Sequence, residues 1–284
     1  VIQRLAIVGV GLLGGSVAKA ARAAGLAREI VGIGRDLARL QTAVDDGGLD
    51  AVTTDIALGV QDADLIVLAA PVLVNERLLA RAWAAADETA VVTDVGSTKA
   101  GLVREADRLR AARARGPAFV GSHPMAGSEQ SGYGVARPDL FRGALVIVTP
   151  TDATEPRALK TVTQVWEALG ARVTALDPDV HDRTVAAISH LPHLAAVALV
   201  DAVSRFEPGA FDLAGRGFKD TTRIAAGDAG VWQEIFLANR DALLASLDAF
   251  RDALGDLERM VRAGDASRLV DALARVKRQR ETVR

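Results

Sequence analysis

Residues whose types and spacing could do chemistry cluster in five short stretches. The first, "AIVGVGLLGGSVAKA", sets Gly9, Gly11 and Gly14 in G-x-G-x-x-G register between a β-branched run and an amphipathic, alanine-rich one. That register suits a dinucleotide pyrophosphate. Gly9 permits the tight turn, Gly11 lets the phosphates approach the backbone, Gly14 allows close helix packing, and the first helical turn, with Leu12 and Leu13, turns its amides to the anion. The other four are "TDVGSTK" (93–99), "GSHPMAGSE" (121–129), "ISHLPH" (188–193) and "GFKDTTRIA" (217–225). Two of these, "TDVGSTK" and "GSHPMAGSE", follow strand-like runs, and strand ends are where open α/β sheets hold ligands. His123, one of four histidines in the chain, precedes a proline that restricts its backbone, and imidazole is the side chain that changes charge nearest neutral pH.

The end of the second strand selects the dinucleotide, because an acid there would bond the ribose 2′-hydroxyl and repel a 2′-phosphate. In "VGIGRDLARL" Gly34 occupies the acid position and Arg35 follows, a guanidinium able to pair bidentately with a 2′-phosphate. Asp36 reads as the cap of the next helix; a slip of two residues would make it the ribose acid instead. NADP is the preferred cofactor, with NAD the alternative. His190 and His193, three apart, superficially suggest a metal, but the chain has no cysteine and shows no third ligand at helical spacing, so no metal is expected. Pro192 cannot donate to the Ile188 carbonyl, which predicts a kink that exposes these histidines. His181 reads as a surface residue near a helix start.

These residues need a scaffold, and the chain supplies two kinds. Eight β-branched runs, "LAIVGV", "EIVGIG", "LDAVT", "DLIVLAA", "TAVVTDV", "AFVGS", "GALVIVT" and "ARVTAL", alternate with helical stretches, the pattern of a parallel sheet covered by helices. From about Asp177 the chain reads as nearly continuous helix. The expected fold is therefore α/β, an N-terminal Rossmann-type dinucleotide-binding domain over 1–176 followed by an all-helical domain over 177–284. Leu243, Leu247, Phe250, Leu254, Leu257 and Val261 repeat with heptad spacing, a seam for an intrachain core or for a second subunit.

Composition narrows the partners. With 34 basic and 36 acidic side chains and a formal charge of −2, and with no long block of one sign, the expected partner is a small molecule rather than nucleic acid. Charges interrupt every apolar run before it reaches membrane-spanning length, so no membrane association is expected. The chain opens directly on a strand-like run, and a cytoplasmic location is the default.

Taken together, "GVGLLGGS", "DVGSTK", "HPMAGSE", "HLPH" and "F-x-D-T-T-R-I-A" followed by "VWQEIF" resemble, in the same order and over nearly the whole chain, the prephenate and arogenate dehydrogenase family of tyrosine biosynthesis. The resemblance implies a helical dimerisation domain, hence a homodimer, and NAD(P)-dependent oxidative decarboxylation of a cyclohexadienol carrying a ring carboxylate. It implies that His123 accepts the hydroxyl proton, that Ser97 helps hold that hydroxyl and the histidine, that Arg223 binds the ring carboxylate, and that His193 lies on the substrate side. A local reading also makes Ser97 the cap of the helix beginning near Lys99. Lys219 stands where many members carry arginine. Two other readings compete: a different two-domain hydroxyacid-type dehydrogenase, which would carry a catalytic lysine in a characteristic helix, and a dinucleotide-sensing protein without chemistry.

Overall fold

The computed structural model describes residues 2–113, 115–128 and 130–283. Its first half alternates β1 (Ile2–Val8), α1 (Leu12–Ala23), β2 (Ala27–Ile33), α2 (Leu37–Asp45), β3 (Ala51–Thr53), α3 (Ile56–Val60), β4 (Leu65–Leu68), α4 (Val72–Ala85), β5 (Val91–Asp94), α5 (Ala100–Ala112) and β6 (Ala118–Pro124). There follow β7 (Leu145–Thr149), α6 (Pro156–Ala168) and β8 (Arg172–Ala175). All eight strand-like runs are strands of one sheet, ordered β3-β2-β1-β4-β5-β6-β7-β8. The chain builds outward from β1 to β3, then crosses back to lay β4 on the other side of β1. That reversal opens a crevice at the carboxyl ends of β1 and β4, the usual ligand position of such sheets.

Strand alternation divides the apolar residues between two layers. Leu5, Leu65, Val67 and Val120 pack on one face with α1 and α6, whereas Ala6, Ile66, Leu68 and Phe119 pack on the other with α3, α4 and α5. Both faces are covered, so β4 reads as an unbroken apolar run rather than an alternating one, and all four residues of β5 are buried.

One feature of the sheet departs from the sequence pattern. β7 pairs antiparallel with β6, Ser122 opposite Val148 and His123 opposite Ile147, while β7 and β8 are parallel. A parallel partner needs a crossover that carries the chain back to the starting edge. Among its described residues the 125–144 segment contains only a short 3₁₀ turn at Tyr133–Val135 and no crossover helix, so the chain returns in the opposite direction.

After β8 the described residues hold helices only: α7 (Pro178–Val185), a π turn (Ala186–His190), α8 (Leu191–Phe206), α9 (Arg216–Thr222), α10 (Ala229–Ala238), α11 (Arg240–Ala263) and α12 (Ala266–Glu281). The π turn ends two residues before Pro192, where the ordinary ladder would need an amide proton that proline lacks. The expected consequence fails, because His190 and His193 are 1% and 2% exposed and lie inside the packing. By length and composition the continuous run Pro178–Phe206 is apolar enough to cross a membrane, against the expectation that charges interrupt every candidate: no charged residue falls between Arg183 and Asp201. Much of its apolar surface is uncovered within one chain, and the heptad seam behaves alike. Leu243 is buried, but Phe250, Leu254, Leu257 and Val261 are exposed.

Candidate active site

The carboxyl ends of β1, β5 and β6 bring three of the sequence motifs to one edge of the sheet. After β1, Gly9 takes φ +101°, and a side chain on it would meet the Ala69 carbonyl at 2.7 Å. A Cβ on Gly14 would overlap the Gly9 carbonyl oxygen, whereas one on Gly11 would meet nothing within 4 Å. Thus Gly9 and Gly14 are required by the fold itself, while Gly11 leaves open space. α1 starts behind Gly11 without a side-chain cap, so the first-turn amides, with Leu12 and Leu13 half-buried there, have no intrahelical acceptors. Beyond β4, Asn75 is buried with neither amide atom partnered, 3.6 Å from the Cβ position of Gly96. Open space over uncapped amides and an orphaned buried carboxamide together fit a dinucleotide. Gly34 directly follows β2, Arg35 is exposed beside it, and the Asp36 side chain accepts from the Arg39 amide at 3.2 Å as the cap of α2.

The loop after β5 is held by a buried ion pair. Lys99 Nζ donates to Asp94 Oδ2, and both side chains are inaccessible to solvent. The same Asp94 carboxylate accepts from the Gly96 amide at 2.8 Å and from the Ser122 amide at 3.0 Å, tying the Ser97 loop to the end of β6. Burial pulls the Lys99 ammonium pKa down against the attraction of Asp94. Ser97 does not cap α5. The N-cap position is Lys99, and the capping acceptor comes from across the molecule: Asp182 takes the Lys99 amide on Oδ1 at 2.8 Å and the Ala100 amide on Oδ2 at 2.9 Å.

Asp182 also reaches the predicted base. His123, 8% exposed at the end of β6, places Nδ1 2.9 Å from His181 Nε2, and His181 Nδ1 lies 2.7 Å from Asp182 Oδ1. His181 is therefore a fully buried link in the site and not a surface residue. Burial first, then the neighbouring His181, Lys99 and His190, holds the His123 pKa well below 6.5, so its imidazole is neutral at physiological pH. Burial pushes the Asp182 carboxyl up, but hydrogen bonds from His181 and the Ala100 and Lys99 amides outweigh it and leave the net shift downward. Asn239, between α10 and α11, closes this region, donating to the Asp182 carbonyl at 2.7 Å and to His190 Nδ1 at 3.2 Å.

His193 lies farther out. Its ring stacks on Trp232 with centroids 3.5 Å apart, and its Nδ1 is buried without a partner among the described residues. Gly227 fits beneath the pair, since a Cβ there would meet the Trp232 indole at 2.5 Å and His193 Cε1 at 3.1 Å. Arg223 opens the 3₁₀ turn Arg223–Ala226 that leads into Gly227, and it is exposed, as is Lys219 on α9. His190 and His193 thus turn to different partners, and no group of three or more metal-ligating side chains occurs among the described residues. Glu129, the last residue of the "GSHPMAGSE" motif, lies outside the described residues.

Of the residues in this arrangement, the motifs in the sequence lead to His123 and to the loops carrying Ser97 and the glycines. They do not lead to His181, Asp182 or Asn239, whereas Trp232 falls in the quoted "VWQEIF" stretch without being singled out there. The one local signal for the pair is that His181 and Asp182 sit in a helix started by Asp177-Pro178, whose cap bonds to the Asp179 and Val180 amides fix its beginning.

Comparison with known proteins gives this geometry a context. The family model "Prephenate dehydrogenase, nucleotide-binding domain" matches residues 17–175, and "Prephenate dehydrogenase, dimerization domain" matches residues 177–275. A cyclohexadienyl dehydrogenase of Zymomonas mobilis is 33% identical, covering 95% of this chain and 92% of the relative. The crystal structure of Aquifex aeolicus prephenate dehydrogenase with hydroxyphenyl propionate and NAD+ superposes with a TM-score of 0.92 at 36% identity, covering 100% of this chain and 99% of that one. Synechocystis arogenate dehydrogenase gives 0.85 at 31% identity, covering 98% and 99%.

The buried histidines make stability depend on pH. Burial, with repulsion from His181 and His193 and against the attraction of Asp182, lowers His190 from 6.5 to about 4. The unfolded chain therefore binds a proton between these values that the native state refuses, and stability falls as pH drops through that window. The contribution of His190 is about 3 kcal/mol, fully present above pH ~6.5 and lost by pH ~4. Urea unfolding followed across this range should show the loss, and His190→Gln should flatten it; equal slopes in the two proteins would assign the acid sensitivity elsewhere.

Proposed function

We infer the chemistry from the premise that this chain belongs to the prephenate dehydrogenase family. It is an NAD(P)-dependent dehydrogenase of tyrosine biosynthesis that oxidatively decarboxylates prephenate, arogenate or both. The observation that carries the residue-level reading is His123, a neutral imidazole anchored through Nδ1 on the sheet edge that also bears the glycine loop. Residues 1–176 hold the dinucleotide, and residues 177–284 complete the substrate cleft and join the subunits.

The bound dinucleotide supplies a hydride acceptor. His123 accepts the proton of the substrate's C4 hydroxyl on Nε2 as the C4 hydrogen leaves with its electron pair, and Ser97 helps hold the hydroxyl against it. The bond from C1 to its carboxylate then breaks, its electrons enter the ring, carbon dioxide departs, and the proton returns to the oxygen of the aromatic product. Arg223 binds the ring carboxylate, because a guanidinium offers two parallel donors to a planar anion. His193, with its unpartnered Nδ1, bonds the substrate from the far side. Holding these groups in place before reaction removes much of the entropic barrier.

For the cofactor we favour NADP. Asp36 is engaged as a helix cap, which leaves Arg35 as the exposed charge beside the end of β2. For the assembly we favour a homodimer, supported by the exposed apolar seam from Phe250 to Val261 and by the dimerization-domain match. For the location we favour the cytoplasm, in keeping with relatives that are biosynthetic enzymes.

Three outcomes follow from this reading. Dinucleotide reduction at 340 nm should appear with prephenate, arogenate or both, and His123→Asn should lower kcat by about 10²–10⁴-fold while dinucleotide affinity is kept. A folded His123→Asn protein with normal turnover would remove His123 as the base. Arg35→Ala should weaken NADP by roughly 10–100-fold and NAD far less, the worth of a charge-assisted hydrogen bond; equal losses would reject the 2′-phosphate contact. Light scattering should give about twice the mass of one chain, and a fully active monomer at micromolar concentration would reduce the seam to uncovered surface.

A further inference from the structure

His123 is surrounded by groups that oppose its protonation, yet a base must carry the proton it takes. Lys99 faces it from the start of α5, His181 from α7 and His190 from the π turn, and each disfavours the imidazolium. Two carboxylates lie near. Asp94, on β5, is paired with Lys99 in a solvent-free contact, so its charge is already compensated. Asp182, on α7, meets no side-chain cation among the described residues except through His181.

The hydrogen bonds around Asp182 settle which nitrogen carries which proton. Asp182 faces three donors: Lys99 N, Ala100 N and His181 Nδ1. Two of these are backbone amides that can only donate, so the ionised carboxylate is the form that satisfies them, and the third position calls for a proton on His181 Nδ1. Neutral His181 then presents a bare Nε2. His123, 2.9 Å away, must donate from Nδ1, which leaves its Nε2 lone pair free. A reversed network, with His181 protonated on both nitrogens, would make His123 Nδ1 the acceptor and place the His123 proton on Nε2, where it would block catalysis.

We propose that His181 and Asp182 form a positioning relay for the base: Asp182 fixes the His181 tautomer, His181 fixes that of His123, and the pair receives the positive charge as the substrate hydroxyl is deprotonated. The hydroxyl proton moves to His123 Nε2, the Nδ1 proton moves along its existing hydrogen bond toward His181 Nε2, and the charge comes to rest against the Asp182 carboxylate. When the product oxygen is reprotonated both shifts reverse, so no proton is lost or gained. The same carboxylate caps α5, two residues beyond Ser97. A single buried anion therefore aligns both the base and the loop that holds its substrate hydroxyl.

The proposal rests on His123 being the base, and its test separates the two. In Asp182→Asn the negative charge is gone and the dyad holds its proton less firmly. The acid limb of kcat/KM against pH should move to lower pH by on the order of one unit, with the plateau lowered by about 10²-fold or more. His181→Gln keeps an acceptor for His123 Nδ1 and hence its tautomer, so it should retain more of the plateau than His181→Leu, which keeps none. A role confined to capping would lower the melting temperature and leave the limb in place. Should Asp182→Asn not fold, the His181→Gln and His181→Leu ordering decides. If His123→Asn is inactive while Asp182→Asn, His181→Gln and His181→Leu keep the wild-type plateau and limb, the relay is overturned and the base stands. If His123→Asn retains turnover, the base itself is overturned.

Discussion

A carboxylate 6% exposed between two halves of a protein has to be supplied with hydrogen-bond donors, and the demands of Asp182 shape everything around it. Removing an ionised group from water costs several kcal/mol unless donors replace the lost hydration. The replacements come from α5, through the amides of Lys99 and Ala100, and from the adjacent His181 ring. α5 in turn has no cap of its own and would leave its first amides unsatisfied without this partner. Two deficits in separate halves thus cancel in one contact. The contact also fixes the approach of α7 to the sheet edge, and Asn239 reinforces it from the junction of α10 and α11 by donating to the Asp182 carbonyl.

The base and the cofactor helix are coupled by a second device on the other side of His123. The segment leaving β6 folds over α1, where the Tyr133 ring occupies the space a Cβ on Gly15 would need, 2.7 Å from that position. Tyr133 donates its hydroxyl to Asp46 at 2.8 Å, Lys19 of α1 pairs with the same Asp46, and the Arg137 amide donates to Ser16 Oγ at 3.1 Å. The surface ion pair contributes little by itself. Its partners nevertheless pin the chain that begins at His123 to α1, the helix proposed to receive the dinucleotide. A shift of α1 relative to β6 would break these bonds together, which holds α1 and His123 in fixed relation.

Much of this architecture is legible in the sequence because it depends on local pattern. Eight runs of β-branched residues become the eight strands, the glycine register lies where strand passes into helix, and Asp36 caps α2 as its position before an amphipathic run suggests. The unreadable parts depend on long-range pairing. His181 stands 58 residues from His123, and neither periodicity nor motif links them; adjacent to an aspartate near a helix start, it resembles a solvated residue. Ser97 has the type and place of a helix cap, but an acceptor 83 residues beyond Lys99 takes that task. The direction of β7 is set by the absence of a crossover helix among the described residues of 125–144. The burial of His190 and His193 follows from tertiary contacts with Asn239 and Trp232 that the proline between them does not reveal.

The division of charge in the site explains why two buried carboxylates are needed where one base acts. Burial lowers the Lys99 pKa, and Asp94 opposes that shift by direct contact. Burial first, then His181 and this paired lysine, keeps the His123 imidazole neutral. On the proposed reading, a base held neutral chiefly by burial would be too weak to keep the proton through the reaction. Asp182 supplies the opposing charge at one ring's remove, close enough to steady the imidazolium and too far to bind the catalytic nitrogen itself. Exchanging the two roles would fail physically: Asp94 in direct contact with His123 would hold it protonated at rest, and Lys99 without Asp94 would be an uncompensated buried ion.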